Sequence, residues 1–317
     1  MKKTIIATAV AAAVAAPAAF ADVKIGGMVN PEWVAGDTTD ELRVQTDMVL
    51  SGSEDLGNGM KASFKFHTFV DTDDSDTAAT GSTVTVATVV GAATHTVNTS
   101  SYAAADDGDV GADQTTADLS VTLSGDFGSL AVGRMEGFAE GKGDAFYNID
   151  AAHELDLEPA NSAYTRKNGA IQYTSPSFNG LKVAVNTVEL DGNSDAQTEF
   201  MVSYSNAGLN VFAISSDNGT TADDYQIIGA SYKMGDLELR ASMAEDGTED
   251  TDFFGAKYKM GNNTFAVGMT DNTTSTNDAV IYSVEHAMSK NVSVYITHLD
   301  EDVNTSDATV IGLRQKF

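Results

Sequence analysis

A two-residue alternation of apolar and polar side chains recurs in short segments from about residue 22 to the C-terminus, and it restricts this chain more than any other feature. In residues 42–50, Leu42, Val44, Met48 and Leu50 fall on one side while Arg43, Gln45 and Asp47 fall on the other. In residues 60–69, Met60, Ala62, Phe64 and Phe66 oppose Lys61, Ser63, Lys65 and His67. The pattern returns with Leu181, Val183 and Val185 against Lys182 and Asn186, and with Leu237, Leu239 and Met243 against Glu238 and Arg240. Phe254, Tyr258 and Met260 oppose Lys257 and Lys259 in the same way. Successive side chains leave a strand on opposite sides, so period two predicts strands that bury one face only.

The connections alternate in length as regularly as the side chains alternate in polarity. Seven are tight, at Gly57-Asn58-Gly59, Gly125-Asp126-Phe127-Gly128, Asn179-Gly180, Asn206-Ala207-Gly208, Gly235-Asp236, Gly261-Asn262-Asn263 and Ser289-Lys290-Asn291. Gly and Asn suit such sites because they tolerate positive φ. Eight are longer, near residues 36–40, 71–115, 137–167, 189–197, 216–224, 244–252, 270–279 and 299–307. Most of these are rich in Asp, Asn, Thr, Ser and Gly. Seven turns and eight loops join sixteen strands, and an even count leaves both chain ends on the turn side, where the first and last strands can pair. Residues 83–90 could form an extra hairpin, which leaves fourteen or eighteen strands as alternatives.

A soluble sandwich gives no reason for turns and loops to alternate so regularly in length. A transmembrane antiparallel β-barrel does, with short turns at one membrane face and long loops at the other. Closure pairs every backbone group, which is the only sheet arrangement that lipid permits. The fold expected is all-β, a membrane barrel of about sixteen strands.

Residues 1–21 have the three parts of an export signal: basic Lys2 and Lys3, a small-residue apolar stretch, and the small-x-small end Ala19-Phe20-Ala21. The expected organisation is a signal peptide over 1–21 and one barrel domain over 22–317. No later segment has the roughly 18 consecutive apolar residues of a membrane helix. The chain carries 18 Lys and Arg against 46 Asp and Glu, a formal net charge of −28. Such a field repels phosphate, so nucleic acid is not an expected partner. The absence of cysteine excludes disulfides and zinc-thiolate chemistry.

Weaker motifs fail on their spacing. His153-Glu154 begins a zinc-protease pattern, but Leu157 stands where the second histidine belongs. Gly57-Asn58-Gly59-Met60-Lys61-Ala62 spells a dinucleotide fingerprint but leads into a strand, so no helix N-terminus awaits a pyrophosphate. Asp191, Asn193 and Asp195 start like a calcium loop, which Ala196 and Val202 break. Asp71, Asp73, Asp74 and Asp76, like Asp106, Asp107 and Asp109, read as solvated loop carboxylates, with loose divalent-cation binding as the alternative. No cofactor, metal or catalytic constellation emerges, and an enzyme is not expected.

The last segment, Ile311-Gly312-Leu313-Arg314-Gln315-Lys316-Phe317, is similar to the ending of the general diffusion porins of the Gram-negative outer membrane. The resemblance covers essentially the whole chain after residue 21. Gly52-Ser53-Glu54-Asp55-Leu56-Gly57-Asn58-Gly59-Met60-Lys61-Ala62 resembles that family's first turn, and Phe127-Gly128-Ser129-Leu130-Ala131-Val132-Gly133-Arg134 its fifth strand. Tyr173-Thr174-Ser175-Pro176-Ser177-Phe178-Asn179-Gly180 resembles its third turn.

The resemblance implies a homotrimer of barrels in the outer membrane, in contact with lipid and lipopolysaccharide, with Phe317 read by the assembly machinery. The long second loop would reach over a neighbouring subunit. The third loop, residues 137–167, would fold inward as a constriction carrying Glu140, Asp144, Asp150, Glu154, Asp156 and Glu158. The family sets a basic wall against such a loop. Arg43, Lys61 and Lys65 satisfy the lumen parity for it, whereas Arg134 shares parity with Leu130 and Val132 and reaches the lumen only at a strand end or across a bulge.

Sixteen strands leave a water-filled channel. The implied function is passive diffusion of ions and small hydrophilic solutes, with cations preferred because carboxylates near a pore enrich them. A substrate-selective channel ranks second, since inward parity offers mainly Phe69 as an aromatic. A non-conducting adhesin or structural barrel ranks third.

Overall fold

The computed structural model describes residues 22–36, 40–72, 83–90, 93–100, 114–150, 152, 157, 166–188, 197–217, 224–246, 249–273, 278–301 and 307–317. The expected signal segment, 1–21, lies outside them. The barrel opens with β1 (Asp22–Gly36), β2 (Asp40–Gly57) and β3 (Met60–Thr72). A separate two-stranded hairpin follows, made of β4 (Thr83–Val90) and β5 (Ala93–Ser100). β6 (Gln114–Gly125) and β7 (Gly128–Glu136) return to the barrel, and the short helix α1 (Phe138–Tyr147) comes next. β8 (Arg166–Thr174), β9 (Leu181–Val188), β10 (Gln197–Asn206) and β11 (Leu209–Asp217) continue the wall. β12 (Tyr225–Met234), β13 (Leu237–Asp246), β14 (Glu249–Met260) and β15 (Asn263–Asn272) extend it. β16 (Ala279–Ala287), β17 (Val292–Glu301) and β18 (Ala308–Lys316) complete it.

Sixteen of these strands form one closed antiparallel sheet in which each pairs with its sequence neighbours and β3 pairs with β6. The hairpin at 83–100 leaves the barrel count at sixteen. The sheet closes where β1 pairs with β18, as in Trp33 opposite Ile311 and Met28 opposite Lys316. Phe317 extends that seam, since its amide donates to Gly27 O at 3.0 Å and Gly27 N donates to Phe317 O at 3.1 Å. Asn58 and Gly59 have φ of 53° and 75°, and Asn179 and Gly180 of 52° and 94°. Two consecutive positive values let a tight turn follow the right-handed twist of its strands. One expected long loop is shorter than its sequence suggested: Asp246 pairs with Glu249, so only 247–248 separate β13 from β14, whereas 37–39 separate β1 from β2 as expected.

The strands sort their side chains as the alternation requires. Ile25, Leu42, Ile228 and Met243 are each more than 60 % exposed on the outer face. A belt of this kind is stable only against hydrocarbon, since in water it would cost about 25 cal/mol for each Å² of apolar area. Among the described residues no helix is long and apolar enough to cross a membrane. Tyr232 and Tyr258 sit outward near the turn end, while Trp33 sits outward near the loop end. That is where amphipathic rings meet both water and lipid.

The buried apolar core lies inside the barrel. Phe138, Phe146, Tyr147, Ile149 and Leu157 from the third long loop pack on Phe212, Tyr225, Ile227, Phe253, Ile281 and Tyr295 of the wall. The inner wall is therefore apolar where the loop is seated on it. The sequence signal is adjacent apolar pairs, such as Ile227-Ile228 and Phe253-Phe254, where both faces of a strand must be greasy.

Candidate pore constriction

The third long loop leaves β7 at Gly137 and enters the lumen as α1, and a carboxylate of the wall receives it. Glu199 of β10 is almost wholly buried. Its Oε2 accepts from Phe138 N at 2.8 Å, and its Oε1 accepts from Ala139 N at 3.3 Å. Asn186 of β9 steadies the same carboxylate, donating from Nδ2 at 2.9 Å. The first amides of a helix lack internal partners and carry the positive end of its dipole, so a carboxylate there satisfies both. Gly137 is required at the entry, because a Cβ on it would stand 2.7 Å from both Glu199 oxygens.

The other end of α1 is held by β11, β13 and β14. Phe146 meets Phe212 and Phe253 edge-on, with centroids 5.3 and 5.7 Å apart, and Tyr147 meets Phe253 at 5.0 Å. Such pairs add about 0.5–1.5 kcal/mol each beyond the area they bury. Arg240 Nη1 donates to Phe146 O at 2.8 Å, and Ser242 Oγ donates to the Tyr147 hydroxyl at 3.0 Å. A helix this short is marginal alone, and tertiary packing makes it persist.

The sequence-derived acidic residues take different places. Glu140 is buried in the first turn of α1. Asp150 follows the helix and lies against the wall, where its Oδ2 accepts from Ala152 N at 2.8 Å. Burial pushes its carboxyl up to about 6, although the Ala152 amide, the Thr297 hydroxyl and the Lys257 charge all pull the other way. Asp144 lies on α1 with its side chain outside the described residues, as Glu154, Asp156 and Glu158 are altogether.

The basic residues divide. Arg43 shares the inner row of β2 with Glu41, to which it is ion-paired, and stands opposite Glu32 of β1. Lys65 lies 2.5 Å from Asp118 Oδ2 of β6, and His67 sits between Asp118 and Asp47, its Nε2 3.0 Å from Asp47 Oδ1. Lys61 is exposed on the same row, near the first tight turn. Arg134 is placed differently. It pairs with Leu119, whose side chain is 58 % exposed, and it sits within the register shift between Gly133 and Met135, the kind of irregularity that re-aims a strand residue.

Parity alone could have found two further groups. Lys257 and Arg240 of β14 and β13 face the lumen, with Arg240 Nε 2.7 Å from Glu238 Oε1. At the seam, Arg314 lies 5.5 Å above the Tyr295 ring, and the Tyr295 hydroxyl donates to fully buried Glu32. Glu199 could not have been found this way, because nothing in β10 indicates that a helix arrives there.

A closed barrel with a lipid-compatible outside, a lumen wider than its side chains fill, and a loop docked within defines a channel-forming protein of the outer membrane. Comparison with known proteins agrees. The family model described as Gram-negative porin matches residues 7–306. OmpF of Salmonella typhi, solved in complex with daunomycin, superposes with a TM-score of 0.70 at 14 % identity, covering 93 % of this chain and 97 % of that one. A substituted porin of Rhodopseudomonas blastica superposes with a TM-score of 0.68 at 15 % identity, covering 93 % and 100 %. A search of curated proteins finds no match. The chain belongs to the Gram-negative porin family and is a multi-pass outer-membrane β-barrel. The members of that family are channels.

Proposed function

We propose that this porin passes ions and small hydrophilic solutes by passive diffusion, with cations preferred. The observation that carries the reading is the seating of α1 inside the barrel by Glu199 and the aromatic cluster. A loop held there narrows the lumen without sealing it, with Glu140 and Asp150 on the loop and Arg43, Lys61 and Lys65 on β2 and β3. Opposed charges across a narrow opening set up a transverse field that aligns small dipolar solutes and leaves bulky apolar ones without compensation for lost hydration. Glu154, Asp156, Glu158 and Asp144 belong to the same acidic loop by sequence, and Arg134, at the register shift between Gly133 and Met135, is taken as the remaining member of the basic wall.

The formal charge of −28 supports the cation preference, because carboxylates at a mouth enrich counter-ions within about 8–10 Å of the path. The same reading takes residues 1–21 as an export signal, a homotrimer as the assembled form, and lipopolysaccharide and the barrel-assembly machinery as partners. The test is single-channel current in a planar bilayer with the reversal potential read under a KCl gradient. A potassium-favouring potential with current steps in threes is expected. An anion-favouring potential would overturn the selectivity, and a folded barrel that carries no current would overturn the channel.

A further inference from the structure

The fixed charges of this barrel are sorted along its axis. Seven of the eight long connections read from the sequence contain no lysine or arginine, and only the third, residues 137–167, does. At the opposite rim, lysines recur on the inner rows beside the tight turns. Lys24, Lys61, Lys182, Lys233, Lys259 and Lys316 are all exposed and alternate with outward-facing neighbours such as Ile25, Tyr232 and Tyr258. Lys61 stands opposite Asp55 and Lys233 opposite Glu238, whereas Lys182, Lys259 and Lys316 stand opposite Ser203, Thr264 and Met28. Glu54, Asp126 and Asp236 temper this girdle from the turns, so the turn rim lies near balance with a slight cationic surplus. Toward the loop side the inner rows turn acidic. Glu32, Asp47, Asp118 and Glu199 face the lumen there with Glu140 and Asp150 of the third loop, against Arg43, Lys65, Lys142 and Arg240.

We infer that this pore is a current rectifier, carrying more current when the loop side is positive than when the turn side is. Walls of one sign concentrate their counter-ions, so the loop half of the lumen is rich in cations and poor in anions, and the turn half admits both. With the loop side positive, cations pass through the loop half into the turn half. Chloride moving the other way is turned back by the carboxylates, so both ions accumulate near α1 and conductance rises. With the voltage reversed, cations leave that middle zone through the loop half while few anions enter to replace the chloride that drains away. The zone is depleted and conductance falls. Two zones act separately only if they lie more than a screening length apart. Lys24 and Glu32 share the inner row of β1 and are eight residues apart, roughly 27 Å along a strand. The screening length is about 10 Å at 0.1 M salt and about 3 Å at 1 M. Cation preference depends on the sum of the charges near the path, whereas rectification depends on their order along it. Rectification presupposes the channel reading and adds a direction to it.

The test records single channels of the full-length barrel in a planar bilayer at about ±100 mV, with the same KCl concentration on both sides. Orientation is read from biotin on Thr273→Cys, beside the loop end of β15, in a chain that has no other cysteine. Streptavidin added on that side perturbs the current and identifies the loop face. The expected ratio of the two currents is about 2 at 0.1 M KCl and about 1 at 1 M, where screening confines each charge to its own wall. The triple variant Lys182→Glu/Lys259→Glu/Lys316→Glu extends the carboxylates to the turn rim and should bring the low-salt ratio to about 1. The matching triple arginine variant should keep the parent ratio, and heat-sensitive gel migration checks that both fold. A ratio near 1 at low salt, larger current with the turn side positive, or an unchanged ratio in the triple glutamate variant would overturn the rectifier. Equal currents with a potassium-favouring reversal potential would remove rectification alone and leave the proposed selectivity standing. No current from a folded barrel would remove the channel and the rectifier together.

Discussion

Gly255 and Gly268 face each other across β14 and β15 and together hollow out the seat in which Ile149 rests. A Cβ on Gly255 would lie 2.4 Å from Ile149 Cδ1, and one on Gly268 would lie 2.8 Å from Leu157 Cδ1. Both glycines have ordinary extended backbone, so what they supply is space.

Filling the seat should therefore move the loop and not unfold the barrel. Gly255→Val is expected to cost about 1–3 kcal/mol in loop docking, the usual range for overpacking. The sheet hydrogen bonds on which the barrel depends stay intact. Single-channel conductance should change while heat-sensitive gel migration stays as in the parent. A variant that conducts identically would show that the seat does not position the loop.

Glu199 makes a second, independent demand on the same loop. Glu199→Ala leaves the Phe138 and Ala139 amides without their acceptor, a loss of about 1–2 kcal/mol. The expected result is faster proteolysis within residues 137–165 and noisier open-channel current. Equal protease resistance in parent and variant would argue that the aromatic cluster alone retains the helix.

Asp150 makes the docking pH-dependent. Its folded value, about 6, lies above that of a free carboxyl, so the neutral form is favoured when the loop is seated. The stability of docking is fully present below about pH 4 and falls as pH rises from about 4 to 6. Above that range a charge is held against the wall at a cost. Between pH 7.5 and 5 the loop should become quieter and cation preference should decline, with a midpoint near 6. Asp150→Asn should remove that titration, and a midpoint unchanged in the variant would assign it to another group.

Phe317 closes the sheet with two backbone bonds to Gly27, and a Cβ on that glycine would come within 2.9 Å of its ring. Deleting Phe317 removes both bonds, whereas Phe317→Ala keeps them and removes only the ring. If seam pairing matters most, deletion should reduce the folded fraction after refolding in detergent far more than Phe317→Ala. If the ring serves only recognition during assembly, both proteins should refold in vitro, and the difference should emerge in cells.

The number of strands, their inward and outward parity, the seven tight turns and the membrane setting could all be read from the chain. These are local consequences of period two and of turn residues that accept positive φ, together with lipid's intolerance of open edges. The inner rows of Arg43, Lys61 and Lys65 followed from the same rule, whereas Arg134 needed an irregularity of the kind found between Gly133 and Met135. What the tertiary structure alone decided is where the third loop goes once it leaves β7. Its helix is too short to persist unaided, and its acceptor Glu199, its aromatic seat and its glycine hollow lie on strands 60 to 130 residues away in sequence. Contacts at that separation arise from barrel closure, which brings β10, β11 and β14 around a common lumen. No local pattern encodes such a meeting, because each partner looks in sequence like an ordinary strand residue.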